Sequence, residues 1–337
     1  MFGHATLALK ASFVLLAGAT YIQTPQEDFE TRNFRTIQSI YNLTIFPNNA
    51  QIIAQGGSAV PPGLFDPQAR GRITPLGNFT SFEDSIEYFF GLAPTPQGNA
   101  AGLGLYEADL VAFTSSCPEV AASVVYLKGG AVNNVTGGLL PGSPTTTLKQ
   151  VCYAPPWPAC HIRTCQKNNQ ALTTSSWQIA FWRFDDAGAV LLYDAWIPTL
   201  QLWTNVANGI QFENRTIQQG TIAQSLCPTI QQRCVGKDQQ YQNVDDCTAQ
   251  LLAKEFGTFD EVWGDNIVCR MIHVILTVIR PDIHCAHVGP TGGGKCVDID
   301  YRTDYFDDAQ LFGMAEPFKC PKLQVFEQVQ GLIGSPY

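Results

Sequence analysis

The stretch WQIAFWRFDDAGAVLLYDAW, residues 177–196, decides the fold class because it has the pattern of two apolar strands joined by a tight turn. Residues 177–184 and 189–197 are rich in aromatic and branched side chains, which favour β-strands. Between them, Asp185-Asp186-Ala187-Gly188 is a combination typical of a hairpin connection. The stretch therefore predicts an antiparallel β-hairpin.

Helices precede this hairpin along the chain. Residues 27–42 carry apolar side chains at helical spacing, which predicts an amphipathic helix. Thr80-Ser81-Phe82-Glu83 has the spacing of a capping box and predicts a second helix, which Gly91 ends. Further strands are predicted over residues 109–113 and 121–127. Helices followed by a run of strands indicate an α+β domain.

This order of elements resembles that of the SnoaL-like branch of the NTF2-like superfamily over roughly residues 26–205. The resemblance rests on the final hairpin and on Asn78-Phe79-Thr80-Ser81-Phe82 leading into a helix. It implies a cone-shaped α+β barrel with a deep apolar pocket inside. The superfamily uses that pocket for isomerases, dehydratases, polyketide cyclases and non-catalytic binding, so the fold alone does not fix the function.

Enzymes similar to this family use an Asp with a His or Tyr as acid and base, which makes Asp194, Asp109 and His161 the candidate catalytic residues. The two aspartates lie in apolar strands, where burial would raise the pKa of a carboxyl group. The alternative is that both face solvent, because side chains alternate along a strand. By the same alternation, Tyr193 and Asp194 point to opposite faces. His161 departs from the family pattern because it lies in a loop.

Residues 206–337 form a mainly helical, cysteine-rich region without a recognisable family. Seven of the 11 cysteines lie between positions 227 and 320, which indicates disulfides in an oxidising compartment. Cys247 and Cys269 fall on successive predicted helices and are a candidate pair. The odd count leaves one thiol free, buried or paired with another molecule, so the oligomeric state stays open.

Three histidines in this region, His273, His284 and His287, form a candidate metal site because they lie within fifteen residues of one another. Imidazole ligands suit zinc, copper or iron. The alternative is that His273 is a core histidine with its hydrogen bonds satisfied. The spacing of the three histidines also matches no standard metal-binding motif. Apart from this site, the sequence predicts no cofactor.

The first nineteen residues have the pattern of a secretory signal peptide, with an apolar stretch before Ala17-Gly18-Ala19. The stretch is too short to span a bilayer, and no later segment is long enough. Four Asn-x-Thr sequons begin at Asn42, Asn78, Asn134 and Asn214. The sequence therefore predicts a secreted glycoprotein without an integral membrane segment, composed of residues 1–19, 20–205 and 206–337.

Composition narrows the function. A formal net charge of −9 excludes a basic surface for nucleic acid. The 337 residues are 11% aromatic and only 15% charged, which favours an apolar cavity. The predicted function is binding of a small apolar molecule in the cone, with isomerisation, cyclisation or dehydration by Asp-based acid–base chemistry. The alternatives are ligand binding without catalysis and an extracellular structural or interaction protein.

Overall fold

The computed structural model describes residues 28–96, 102–142 and 174–321, and it confirms the α+β class. Six strands form one sheet in the order β2-β1-β6-β5-β4-β3. Its neighbouring strands are antiparallel, except that β1 runs parallel to β6. The strands are β1 Phe65–Thr74, β2 Gly77–Phe79, β3 Gly102–Cys117, β4 Val120–Val132, β5 Thr174–Phe184 and β6 Val190–Trp196.

The predicted hairpin is confirmed as β5 and β6, with Trp182 opposite Tyr193. In the turn, an Asp185 carboxylate oxygen accepts a hydrogen bond from the Ala189 amide at 2.8 Å. Gly188 adopts a φ of 91°, a conformation that only glycine adopts without strain. Asp185 and Gly188 therefore fix the register that sends Tyr193 to one face of the sheet and Asp194 to the other.

The N-terminal helices pack on the face of the sheet that carries Tyr193. Helix α1 (Phe29–Thr44) buries Tyr41, whose ring meets Trp182 edge to face. Two short helices follow it in the chain, α2 (Ala50–Gln55) and, after β2, α3 (Phe82–Ile86). The predicted capping box begins one residue later than expected, because Ser81 caps α3. The helix then widens into a π-turn, Glu87–Gly91, whose residues are all buried.

The C-terminal region is helical and cross-linked, as predicted. Disulfides join Cys227 to Cys247, Cys234 to Cys285, Cys269 to Cys296 and Cys117 to Cys320. The predicted pairing of Cys247 with Cys269 is wrong, because each is bonded to another cysteine. The helices are α4 Leu200–Asn208, α5 Arg215–Thr221, α6 Cys227–Arg233, α7 Val244–Leu252, α8 Ile267–Leu276, α9 Pro281–Val288 and α10 Asp308–Phe312.

Helix α8 packs against the core of the N-terminal part. Its Leu276 is fully buried in the same apolar cluster as Phe89 and Trp182. The boundary predicted between residues 205 and 206 falls inside α4. The division into two units stays a prediction, and the predicted signal peptide and His161 lie outside the described residues. Within the described ranges, every helix falls short of the length and apolar character needed to cross a membrane.

The segment around α10 covers the outer face of the sheet. Leu311 and Phe312 pack on Leu192 of β6. The Arg183 guanidinium donates a hydrogen bond to the Pro317 carbonyl at 2.8 Å, and the disulfide to Cys117 lies just beyond. The outer face is therefore buried where the C-terminal segment crosses it.

This packing predicts which sequons can carry a glycan. The Asn78 side-chain nitrogen, the atom to which a glycan would be attached, donates to the Tyr305 carbonyl at 3.2 Å, whereas Asn42 and Asn214 are exposed. In protein secreted from a eukaryotic host, we expect Asn78 to be unmodified in the folded fraction and the exposed pair to be modified. Glycopeptide mass spectrometry checks this, and full occupancy at Asn78 would contradict the packing of this segment.

Candidate functional site

A cavity of about 620 Å³ lies between the sheet and the C-terminal helices. The strands contribute apolar side chains such as Ile73, Leu105 and Leu127 to its wall. The opposite wall is formed by α4 and α8, with Trp203 and Ile275 among its residues. This volume falls within the range of pockets that hold drug-sized ligands.

Few polar groups on this wall are available to a ligand. The hydroxyls of Thr44 and Thr204 donate to carbonyls of their own helices, at 2.7 and 2.8 Å. The Asn208 amide likewise donates to the Thr204 carbonyl. Gln178 on β5 is buried and can offer its amide, and Tyr88 is the ionisable side chain among the described wall residues. The cavity therefore suits a molecule with a large apolar surface and few polar groups.

The structure places the predicted catalytic aspartates away from this cavity. Asp194 lies on the outer face of β6, where its carboxylate binds the Arg72 guanidinium. Asp109 on β3 is half exposed, 3.7 Å from the Lys128 ammonium. Tyr193, as expected from strand alternation, faces the core instead. Catalytic roles for the two aspartates and for His161 stay predictions.

The three histidines of the candidate metal site are brought together. His273 is near the end of α8, and His284 and His287 are three residues apart on α9, which places them on one helix face. The Nδ1 atom of His273 lies 3.1 Å from Nδ1 of His284 and 3.2 Å from Nδ1 of His287. The potential ligand atoms all lie within 4.8 Å of one another.

A second layer of polar groups surrounds the histidines. The Glu87 carboxylate is fully buried, 2.9 Å from Nε2 of His284, and it also accepts from the Arg280 guanidinium. Arg280 in turn binds Asp84 at 2.8 Å. Glu87 is not among the residues predicted from the sequence. It is a lone carboxylate in the apolar run of residues 86–90, and a carboxylate buried in such a run requires a polar partner.

The cluster is electrostatically set toward neutral imidazoles. Burial lowers the pKa of His273 well below its usual range. Burial, and next the proximity of His284, lower the pKa of His287 to about 4. Burial also raises the pKa of Tyr88 well above its ordinary value, with Asp84 and Glu87 acting in the same direction. At neutral pH His273 and His287 therefore have lone pairs available, and Tyr88 keeps its proton.

Tyr88 connects the cluster to the cavity. It belongs to the cavity wall, and its hydroxyl oxygen lies 3.2 Å from Nε2 of His273. Its ring stacks on Phe79 with centroids 3.8 Å apart, which holds the side chain in place. The cavity and the histidine cluster therefore share one neighbouring side chain, Tyr88.

Two solved structures that cover about half of this chain show low similarity. A putative polyketide cyclase from Xanthomonas campestris is 9% identical with a TM-score of 0.30, covering 53% of this chain and 99% of its own. A ketosteroid isomerase-like protein from Erwinia carotovora is 7% identical with a TM-score of 0.27, covering 52% and 99%.

Sequence relatives come from fungi. The Bifonsecin B biosynthesis cluster protein A of Aspergillus brasiliensis is 26% identical over 290 residues, which is 80% of this chain and 82% of that protein. The Aurasperone B biosynthesis cluster protein A of Aspergillus niger is 34% identical over 146 residues, 39% of this chain and 48% of that protein.

The C-terminal region, in which the sequence suggested no family, has a match of its own. Residues 190–299 match the model of the BfoA family C-terminal domain. The match runs from β6 through α9, so it includes α4, α8 and the three clustered histidines, while Glu87 and Tyr88 lie outside it. Residues 190–299 are thus similar to the BfoA family C-terminal domain.

Proposed function

We propose that this protein binds a small apolar intermediate of a biosynthetic pathway in the cavity and promotes its isomerisation, cyclisation or dehydration. The observation that carries the proposal is the 620 Å³ cavity, whose wall is apolar except for a few groups. Two relatives named for biosynthesis clusters support the pathway context. A ligand of this kind gains most of its affinity from removing apolar surface from water.

Tyr88 is the proposed acid of this reaction. A tyrosine is protonated at neutral pH, and the raised pKa of Tyr88 widens that range, so its hydroxyl can donate a hydrogen bond to a carbonyl or enolate oxygen of the ligand. His273 lies behind it and can donate from Nε2 to the tyrosine oxygen, which leaves the tyrosine proton for the ligand. This assignment adds a residue of the cavity wall to the predicted catalytic aspartates.

Binding without catalysis is the second candidate, because the hydroxyls of Thr44 and Thr204 are committed to their own helices. Tyr88→Phe separates the two candidates. For an enzyme, this variant should bind the ligand and lose turnover by about 10²-fold or more. For a binding protein, ligand retention should be unchanged and the ligand should be recovered unaltered from both forms.

Blocking the cavity gives a test that needs no knowledge of the substrate. Ile275 is 44% exposed and lies in the wall, while Val278 is 55% exposed and lies outside it. We expect Ile275→Trp to weaken binding of the naphthalene dye ANS at least tenfold, about 1.4 kcal/mol, because the indole fills space that the dye needs. Val278→Trp adds the same side chain nearby and should leave affinity unchanged. Equal affinities in fluorescence titrations would place the dye, and the proposed ligand site, elsewhere.

We also propose that the protein is exported. The four disulfides support this, since such bonds persist in oxidising compartments. Secretion of the full chain into the medium of a fungal host, with loss of residues 1–19, is the expected result. An intracellular protein that keeps its N-terminus would contradict it.

A further inference from the structure

We propose that His273, His284 and His287 bind a divalent transition metal ion, with zinc as the best match, through their Nδ1 atoms. The observation that carries this inference is the convergence of three ring nitrogens from two helices. Nδ1 of His273 lies 3.1 Å from that of His284 and 3.2 Å from that of His287.

The spacing fits a tetrahedral ion. Zinc–nitrogen bonds of about 2.0–2.1 Å at tetrahedral angles place neighbouring ligand atoms about 3.3 Å apart. The two Nδ1 separations from His273 are close to this value, and the ligand atoms of all three histidines lie within 4.8 Å of one another. Hydrogen bonds alone satisfy the arrangement less well, because a neutral imidazole has one N–H and three Nδ1 atoms converge here.

The surroundings set the tautomers that a metal requires. Nε2 of His284 lies 2.9 Å from the buried Glu87 carboxylate, which favours the tautomer with the proton on Nε2 and the Nδ1 lone pair directed to a metal. A carboxylate that accepts from the distal nitrogen of a metal-bound histidine is a recurring arrangement. Nε2 of His273 lies 3.2 Å from the Tyr88 hydroxyl oxygen, which can accept its proton and leave Nδ1 for the metal. Arg280 holds Glu87 in position.

The donor set is nitrogen only. Cys269 and Cys296 also lie near His273, but they are joined in a disulfide and provide no thiolate. Three neutral imidazoles without sulfur suit zinc, with copper and nickel as chemical competitors. The positive charge of Arg280 is offset by Asp84 and Glu87.

An ion here would link to the cavity through Tyr88. Metal at Nδ1 fixes the proton of His273 on Nε2, from which it donates to the tyrosine oxygen. His287 is the ligand of the three that is partly exposed, so it is the side of the site nearest to solvent. The three ligands are not cavity-wall residues, so metal binding can be tested independently of ligand binding in the cavity.

The test is metal binding by the full chain with its disulfides intact. After removal of metal with a chelator, titration with Zn²⁺ in a calorimeter should show one site per chain. His287→Ala should weaken that site at least tenfold, since even outer-layer partners of metal ligands are worth about 10–100-fold. Ile283→Ala changes an exposed residue of the same helix that is not one of the three ligands, and it should bind as the parent does.

Cobalt provides a measurement on the parent protein, so it does not require that a variant folds. Co²⁺ bound to the parent chain should give the visible absorption of a four-coordinate site with nitrogen ligands and no sulfur charge-transfer band. His284→Ala provides a second variant, which should lose this spectrum. No Zn²⁺ binding by the parent chain, or equal affinity in the His287→Ala and Ile283→Ala proteins, would overturn the proposal, whether or not ANS binds in the cavity.

Discussion

Asp194→Ala should lower the free energy of unfolding by about 3 kcal/mol, because it leaves the Arg72 guanidinium buried without its main partner. Arg72 is 3% exposed and Asp194 is 5% exposed. The guanidinium makes two hydrogen bonds to the Asp194 carboxylate, through Nε and Nη2. The remaining partner, Asp308, lies 3.0 Å away but is more exposed, so it compensates only in part.

The same guanidinium holds the C-terminal segment to the sheet. Its Nη1 donates to the Tyr305 carbonyl at 3.2 Å, and its central carbon lies 4.6 Å from the centroid of the Phe306 ring. Removing the Asp194 charge therefore disturbs the contact of residues 305–308 with β1 as well as β6. We expect limited proteolysis to cleave this segment faster in the variant.

Chemical denaturation of the parent and variants checks the prediction. Asp109→Ala is the matched control, because this aspartate is half exposed and its loss should change stability by less than about 0.5 kcal/mol. The double variant Arg72→Met/Asp194→Leu should recover much of the loss, since apolar side chains of similar volume replace a buried ion pair well. A stable Asp194→Ala protein without activity would contradict the structural role and support the predicted catalytic role of Asp194.

In the hairpin, the sequence predicts the strands and the alternation of their side chains, but not which face is inside. Apolar strands around Asp185–Gly188 predict β5 and β6, and strand alternation predicts that Tyr193 and Asp194 face opposite ways. Which face is the inside cannot be derived from alternation, because both faces are covered here. The outer one is buried by Leu311 and Phe312, more than a hundred residues further along the chain. Asp194 therefore lies in a buried environment without facing the cavity.

In the candidate site, local sequence patterns predict the neighbours on one helix but not the contacts between helices. His284 and His287 share a helix face by their spacing alone, so their proximity follows from sequence. Their proximity to His273 depends on the packing of α9 against α8. The contact between His284 and Glu87 joins residues that are nearly two hundred positions apart in the sequence. The disulfides have the same limit: Cys247 and Cys269 occupy the predicted helices, but tertiary packing gives them other partners.

Glu87→Ala should destabilise the whole described fold by about 3 kcal/mol, measured with metal removed. The Glu87 carboxylate is fully buried in the π-turn, where it binds Arg280 and His284 from the C-terminal region. Without it, Arg280 keeps only Asp84, and His284 loses its buried acceptor. Glu87→Gln keeps the shape and one acceptor oxygen, so it should cost less than Glu87→Ala.

Glu107→Ala is the matched control, because Glu107 also pairs with a cation but is half exposed on β3. Exposed pairs contribute about 0–1 kcal/mol, so its unfolding midpoint should stay close to that of the parent.

The Glu87 variants also test the predicted division into two units. Trp263 is the one tryptophan of residues 206–337, so in a Trp263→Phe background tryptophan fluorescence follows the N-terminal part, whose core holds Trp182. Far-ultraviolet circular dichroism follows mainly the helices, most of which lie beyond residue 206 among the described residues. If Glu87 couples both parts, the two signals should shift together in Glu87→Ala. If residues 206–337 fold independently, the helical signal should keep the parent's midpoint while the fluorescence transition moves. The second outcome would show that the contacts of Glu87 do not stabilise the C-terminal helices, although Leu276 packs into the N-terminal core.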